Sequence, residues 1–324
     1  MKLPEPRGSL SEALVDVLPR DPHDVTLPDA DVTDDDLHLS LFLLYELTYR
    51  GWDGVSDDWE WQPSLIRVRN GLEARFLVSL RELVGPPAPV EPDAVPRALV
   101  ELASADTGPS LSKYLRGRAT LEQFREFASH RSVYHLREAD PHTFTIPRLA
   151  GVAKAALIEI QIDEYGAGRA SAMHQELFKR TMVGLHLDTT YGAYVNVVPA
   201  QTLATNNVMS LFALNRRWRG ALLGHLAAYE MTSTGPNRAY GNGLRRLGGD
   251  ADATRFYDEH VEADAVHEQI AAYDMCGTFS KSEPALAGDV LFGARSALAL
   301  DDAWAGYVLA RWDEGRSSLR VSSR

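Results

Sequence analysis

Cysteine is nearly absent: Cys276 stands alone among 324 residues, which excludes an internal disulfide and points to a reducing, cytoplasmic setting. Basic charge is scarce as well. The formal net charge is −12 with no cluster of Lys or Arg to interrupt it, so nucleic acid, whose phosphates demand a basic surface, is excluded as a partner. No apolar run reaches the roughly 18 residues of a membrane span, and the opening MKLPEPRGSLSEAL has no stretch of signal-peptide length. Also missing are a GxGxxG fingerprint, a P-loop, an internal repeat and any convincing strand pair. A zinc-protease reading of His267-Glu268 fails because Ala271 stands where HExxH needs its second histidine. With 45% hydrophobic residues, the chain has material for one large core or two smaller ones.

What is present reads as helix. Residues 1–33, rich in Pro and Asp, are expected over the surface. Asp34 then opens an apolar helix, LHLSLFLLYELTYR, closed at Gly51. It is apolar nearly all round, so it needs cover on more than one side, from the core or from a second subunit. Glu46 inside it reads as a carboxylate paired with an Arg, and Trp52, Trp59 and Trp61 read as packing. A second helix runs from Ser64 to Val84 and stops at GPPAPVEPDAVP, the best boundary in the chain. This divides an N-terminal helical region, 1–97, from a larger bundle, 98–324.

Within the bundle, Thr120-Leu-Glu-Gln123 has the form of a capping box. It starts a helix whose stripe, Phe124, Phe127, Arg131, Tyr134 and Glu138, turns from aromatic to charged. Pro147 can open the next helix, with Leu149, Ala153, Leu157, Ile160 and Glu164 in line. His174 follows ten residues later, which in a straight helix would place it ~15 Å away on another face. Gly166 and Gly168 permit a break that brings it back. Ala221 to Met231 aligns Leu223 and Leu226 with Glu230. One further Ala-rich helix lies between Pro284 and Leu300, and the tail from Trp312 is expected to fray.

The stretch Arg255 to Ala271 carries His260, Asp264 and His267 at spacings of four and three, so the three lie within roughly 60° on one helix face. That stripe is continued by the apolar Phe256 and Ala271, which makes it core-facing. Three buried polar groups need partners; a transition metal would satisfy all three, and so would a wet face or bonds among themselves. Collected, the inward polar residues are Glu138, Glu164, His174, Glu230, His260, Asp264 and His267. Four carboxylates and three imidazoles match the ligand set of iron or manganese pairs inside helical bundles. A ferritin-like arrangement is disfavoured, because beyond the Pro-rich boundary only Asp264-x-x-His267 approximates its Glu-x-x-His unit.

On these residues the chain resembles the haem-oxygenase-like di-iron oxidases and oxygenases, whose pattern is a Glu, then a Glu and a His, then a late His-x-x-x-Asp-x-x-His helix. Glu138 matches the first, Glu164 and His174 the second, and His260, Asp264 and His267 the third. The spacing is most similar to the central domain of an N-oxygenase of that family, in which an additional carboxylate completes the site; Glu230 falls in its place. The resemblance covers roughly Thr120 to Leu300, and more loosely the N-terminal helices, which form a dimerisation region in that relative. It implies an all-α, haem-oxygenase-like helical bundle with an N-terminal helical extension, two ferrous ions and no haem. It also implies dioxygen as co-substrate, a small-molecule substrate, an external electron donor and a homodimer. No cupin domain follows here, so the rearrangement that such a domain performs in the relative is not expected.

The implied reaction is N-oxygenation of an amine or guanidine-like nitrogen; desaturation or oxidative C–C cleavage of an amino or fatty acid is the alternative within the family. Outside it stand a non-enzymatic metal-binding bundle or oxygen sensor and a haem protein with His38 or His135 as axial ligand. The haem reading leaves the seven inward residues without a role. Cys276, in an Ala/Met context, reads as structural rather than nucleophilic.

Overall fold

The computed structural model describes residues 1–26, 33–105 and 110–321, less the side chains of 262–266. Among the described residues there is no strand. Ahead of the Pro-rich run lie α1 (Ser9–Val17), α2 (Asp34–Tyr49) and α3 (Pro63–Val84). Then come α4 (Val95–Ser104), α5 (Leu111–Gly117), α6 (Leu121–His135), the single turn α7 (Asp140–Thr143), α8 (Gly151–Glu164), α9 (His174–Gly184) and α10 (Ala200–Leu214). The last are α11 (Arg219–Thr232), α12 (Thr234–Arg246), α13 (Ala251–Gln269), α14 (Thr278–Ser282) and α15 (Ala287–Asp313). The result is the expected all-α bundle, and no described helix is long and apolar enough to cross a membrane.

Thr33, one residue ahead of the expected cap, holds the start of α2 by accepting from the Asp36 N–H at 3.4 Å. Asp36 in turn accepts the backbone N–H groups of Leu10 at 3.0 Å and Ser11 at 2.8 Å, answering donors that the first turn of α1 leaves open. With Leu10, Leu14 and Leu18 buried, the start of the chain is thus docked rather than draped over the surface. The side chains of α2 are buried from Asp36 to Glu46, against α1, α3 and α10 of the same chain. Its all-round apolarity is therefore met without a second subunit. Glu46 pairs with an arginine as expected, Arg137 at 3.0 Å, and also accepts from the Tyr191 hydroxyl at 2.8 Å. Trp52 and Trp59 donate to the Leu43 and Arg20 carbonyls from buried positions, whereas Trp61 is exposed.

One hydrophobic cluster joins α2 and α3 to α10, α11 and Phe292 of α15, so the helices ahead of the Pro-rich run share their core with the bundle. Helices α11 and α15 cross in close contact. A Cβ on Gly224 would lie 1.8 Å from the Val290 carbonyl oxygen, and one on Gly293 would lie 1.9 Å from that of Ala221. Backbone meets backbone there, which only glycine allows, and this fixes the height of α11 and hence of Glu230 near its end. The tail does not fray at Trp312. That indole is buried and donates to Glu126 at 2.8 Å, Ser318 N donates to the same carboxylate at 2.7 Å, and Arg320 N reaches the Val197 carbonyl at 2.6 Å. These bonds lash the last residues to α6 and the segment ahead of α10, a long-range tie that local composition does not reveal.

Two buried histidines away from the bundle centre make stability depend on pH. Burial pushes His38 down to about 4 and His130 down to about 3. His130 is enclosed between the Thr202 and Ser318 hydroxyls at 2.7 and 3.1 Å. Since the folded pKa lies below the unfolded value of about 6.5, their contribution is present above that value and is lost as pH falls through the window toward 3–4. Acidification from pH 7 to pH 5 should therefore cost about 2 kcal/mol for each of them. Denaturant unfolding at the two pH values checks this, and a His130→Gln variant with an unchanged pH slope would exclude that residue as a source.

Candidate metal centre

The capping box forms as read: Thr120 accepts from Gln123 N at 3.2 Å and Gln123 accepts from Thr120 N at 3.0 Å, which fixes the start of α6. The helix stops at His135, ahead of Pro141, so Glu138 lies in the turn between α6 and α7. The Arg137–Glu46 pair anchors that turn to α2. His135, one turn before, stands with Nδ1 2.7 Å from Glu138 Oε1.

The break after Glu164 also forms. Gly166, Ala167 and Gly168 take left-handed φ values of 60°, 51° and 77°, and a Cβ on Gly166 would meet the Ala172 carbonyl carbon at 2.5 Å. The chain doubles back and His174 opens α9 with Nδ1 3.1 Å from Glu164 Oε2. An uninterrupted helix would have kept them ~15 Å apart.

On α13, His260 and His267 are both buried. The His260 Nδ1 lies 2.8 Å from the Phe256 carbonyl, which can only accept, so Nδ1 carries a proton and Nε2 is the nitrogen left to face a cation. That Nε2 lies 3.7 Å from Glu138 Oε1, and the His260 and His174 rings are 4.3 Å apart. Glu138, His174 and His260 are thus brought together, each offering a ligand atom within 4.8 Å of the others. Two imidazoles and a carboxylate are a donor set suited to ferrous iron with open positions. Phe256 packs on the His135, His174 and His260 rings and Phe178 on His135 and Phe256, forming an apolar wall.

His267 belongs to a neighbouring group. Its Nδ1 lies 3.2 Å from Glu230 Oε2 and its Nε2 3.0 Å from Asp163 Oδ2. Asp264 shares the helix with both histidines, but its side chain lies outside the described residues. Glu164 lies beside His174, and its charge is also felt at His267.

Imidazoles and carboxylates at the site act on one another's ionisation. Burial works against ionisation of Glu138, but the His135 and His260 imidazoles hold its carboxyl well below the usual range. Burial likewise opposes the charge on Glu164 and on His174, and their mutual attraction outweighs it, lowering the carboxyl and raising the imidazole. For His267 the burial penalty is overcome by the hydrogen bond and charge of Glu230 and by Asp163, raising it to about 9. Glu138 Oε2 is nevertheless buried with no hydrogen-bond partner, and His174 Nδ1 and Glu164 Oε2, 3.1 Å apart, face one another as an ion pair without hydrogen-bond geometry. Such atoms are costly unless something binds them, and a nitrogen and oxygen set left unsatisfied in this way fits a transition metal.

Glu138, Glu164, Glu230 and His260 line one cavity, together with His135, His142, Gln161, Tyr134 and Tyr229. Sequence reasoning missed the part that His135 and Asp163 play. His135 lies three residues before Glu138, a spacing that was available as a signal; the contact of Asp163 with His267 crosses helices and had none. Also missed were His142 and His225, buried with Nε2 and Nδ1 3.3 Å apart. The two histidines considered for haem are separated: His135 sits at this site, whereas His38 packs on Phe76 and Asn207.

The sequence profile of a family described as iron-containing redox enzymes matches residues 125–302, the span from α6 into α15. A nitrosourea synthase from Streptomyces achromogenes subsp. streptozoticus is 27% identical over 136 residues, which is 42% of this chain and 29% of that protein. The match thus spans less than a third of that relative's length.

Proposed function

This chain belongs to the family of iron-containing redox enzymes, and from that premise we propose that it is a non-haem di-iron, dioxygen-dependent oxygenase acting on an amine or guanidine-like nitrogen of a small molecule. The observation that carries the reading is the buried group of Glu138, His174 and His260, whose ligand atoms lie within 4.8 Å of one another. The neighbouring pair of His267 and Glu230 supports a second position. Glu138, His174 and His260 would hold one iron and Glu230, Asp264 and His267 the other, with Glu164 available as a further ligand. Ferrous iron supplies the electrons that activate dioxygen, with an external donor restoring them.

The rest is the work of this chain. His135 fixes the Glu138 carboxylate through a 2.7 Å contact, and the Phe256 carbonyl fixes the tautomer of His260; such outer contacts orient a ligand and tune its basicity. The aromatic wall of Phe178 and Phe256 keeps water from the imidazoles. Glu230, facing the same cavity, adds a further carboxylate to the donor set, and such a carboxylate-rich site resembles the N-oxygenating branch, which favours nitrogen over an aliphatic C–H as the atom attacked. Incubation of the ferrous protein with a panel of amines under dioxygen, followed by mass spectrometry, tests this. Products should gain oxygen at nitrogen; loss of two hydrogens or of a carbon fragment would overturn N-oxygenation in favour of desaturation or C–C cleavage. Binding of iron without dioxygen uptake would leave a metal-binding bundle.

A further inference from the structure

The charged groups that line the cavity are engaged. Glu138, Glu164, Glu230 and His260 are assigned to the metal, and Arg131 is paired with Asp301 at 2.9 Å while also hydrogen-bonding the Tyr240 hydroxyl. Two further lining residues, His142 of α7 and Gln161 of α8, are buried and uncommitted to the metal. Each has its polar atoms oriented from behind. The Gln161 amide is fixed because its Nε2 donates to the Ala139 carbonyl at 3.0 Å, which can only accept, and to Thr143 Oγ1 at 2.7 Å. Thr143 Oγ1 lies 3.0 Å from the Tyr165 hydroxyl, which donates to Asp140 Oδ1 at 2.9 Å, so the chain of donors runs away from Gln161. Oε1 is its free end, buried without a hydrogen-bond partner, and such an acceptor is costly until something donates to it.

His142 is held by His225 of α11, its Nε2 lying 3.3 Å from the His225 Nδ1. Burial keeps both rings neutral, pushing His142 down to about 4 and His225 well below its ordinary value, so a single proton lies between them. His225 Nε2 is buried without a partner. If His142 were the donor, that nitrogen would carry an N–H with no acceptor, and orphaned buried N–H groups are the rarest kind. With His225 donating from Nδ1, its Nε2 carries only a lone pair. His142 Nε2 then accepts, and its ring keeps its own proton on Nδ1, the polar atom left to the cavity.

We propose that His142 Nδ1–H and Gln161 Oε1 form a hydrogen-bonding subsite that receives an uncharged, carboxamide-type group of the substrate, His142 donating to its carbonyl oxygen and Gln161 accepting from its N–H. Gln161 is anchored on Thr143, the residue after His142, so donor and acceptor belong to one stretch of the cavity wall. A carboxylate there would set oxygen against Gln161 Oε1, and an ammonium would set N–H against the His142 N–H. Neither residue carries a charge that would offset this. His225, Thr143 and Tyr165 act as positioning residues, holding the proton on the cavity side of His142 and the carbonyl end of Gln161 free. The subsite concerns how the substrate is held and stands on this geometry whichever atom the enzyme oxidises.

The test compares propionamide with butanone, an uncharged ligand of the same shape that lacks the N–H. Binding to the full chain is measured by calorimetry with ferrous iron under argon and by NMR titration after chelation. Propionamide should bind about tenfold tighter than butanone. Gln161→Met, which keeps the bulk and removes the acceptor, should erase that difference. His142→Phe should weaken both ligands, and His142→Asn should restore part of the loss, since its amide N–H falls near the place of Nδ1. In chelated parent protein with isotope-labelled histidine, long-range NMR couplings should place the His142 proton on Nδ1. His225→Leu should shift that proton toward Nε2, whereas His225→Asn, which still donates, should not. Butanone binding as tightly as propionamide, a His142 proton on Nε2, or no binding of propionamide would each overturn the proposal. All three are read on the parent protein, so a variant that fails to fold leaves the test standing. Iron content that falls in Gln161→Met or His142→Asn would place these residues with the metal and overturn it as well.

Discussion

Replacing His260 or His267 with Ala should lower the iron content of the purified protein by roughly half in each case, because the two imidazoles serve different groups and each position depends on a few protein ligands. His260 points Nε2 at Glu138 with its proton fixed on the Phe256 side; without it, Glu138 and His174 are left as a pair. His267→Ala removes the imidazole beside Glu230 and leaves the group of Glu138, His174 and His260 untouched. The double variant should retain almost none. Glu164→Ala should be more damaging than Glu230→Ala, since Glu164 touches His174 at 3.1 Å and is also felt at His267, whereas Glu230 contacts His267 at 3.2 Å and completes one position only. Anaerobic titration with ferrous iron and a colorimetric iron assay measure all five variants. Full loading in both single His variants would remove the basis of the di-iron reading, and equal losses for Glu164→Ala and Glu230→Ala would refute the ranking.

Arg137→Ala should destabilise the fold by about 3–5 kcal/mol, the cost of leaving one partner of a buried ion pair alone. Arg137 and Glu46 are both almost fully enclosed and lie 3.0 Å apart, with the guanidinium stacked 4.2 Å from the Tyr49 ring. Burial raises the Glu46 carboxyl even against the pull of Arg137 and the Tyr191 hydrogen bond, so the loss of Arg137 would drive it to the neutral acid rather than leave a bare charge. Glu46→Gln should accordingly be milder than Glu46→Ala, because the amide still accepts from Tyr191. The effect reaches the metal centre through the chain itself: Arg137 is the residue before Glu138, and freeing the turn should also weaken iron binding. Urea unfolding of the metal-free variants separates stability from metal affinity. An Arg137→Ala protein within about 1 kcal/mol of the parent would show that the pair contributes little and that packing alone holds the turn.

Much of the fold and of the metal centre was legible because it is written in short-range pattern. Thr120 and Gln123 announce the start of α6 by capping chemistry, and the spacing of His260 and His267 places them on one face whatever that face meets. Gly166 and Gly168 mark the reversal without which Glu164 and His174 could not approach. Other features were not legible. Whether α2 is covered by its own chain or by another, that the tail is tied to Glu126, that Asp163 reaches His267, and that Arg131 rather than any other arginine enters the cavity all depend on which helix faces meet. The sequence by itself determined the helices, their inward stripes and the residue types that meet at the centre, since side-chain periodicity and backbone freedom act over a few residues. Only the tertiary structure decided how those stripes combine into one group of three candidate ligands and a neighbouring pair, and which arginine lines the cavity, because contacts between distant segments follow from the packing of whole helices, such as the glycine crossing of α11 on α15, which no local pattern encodes.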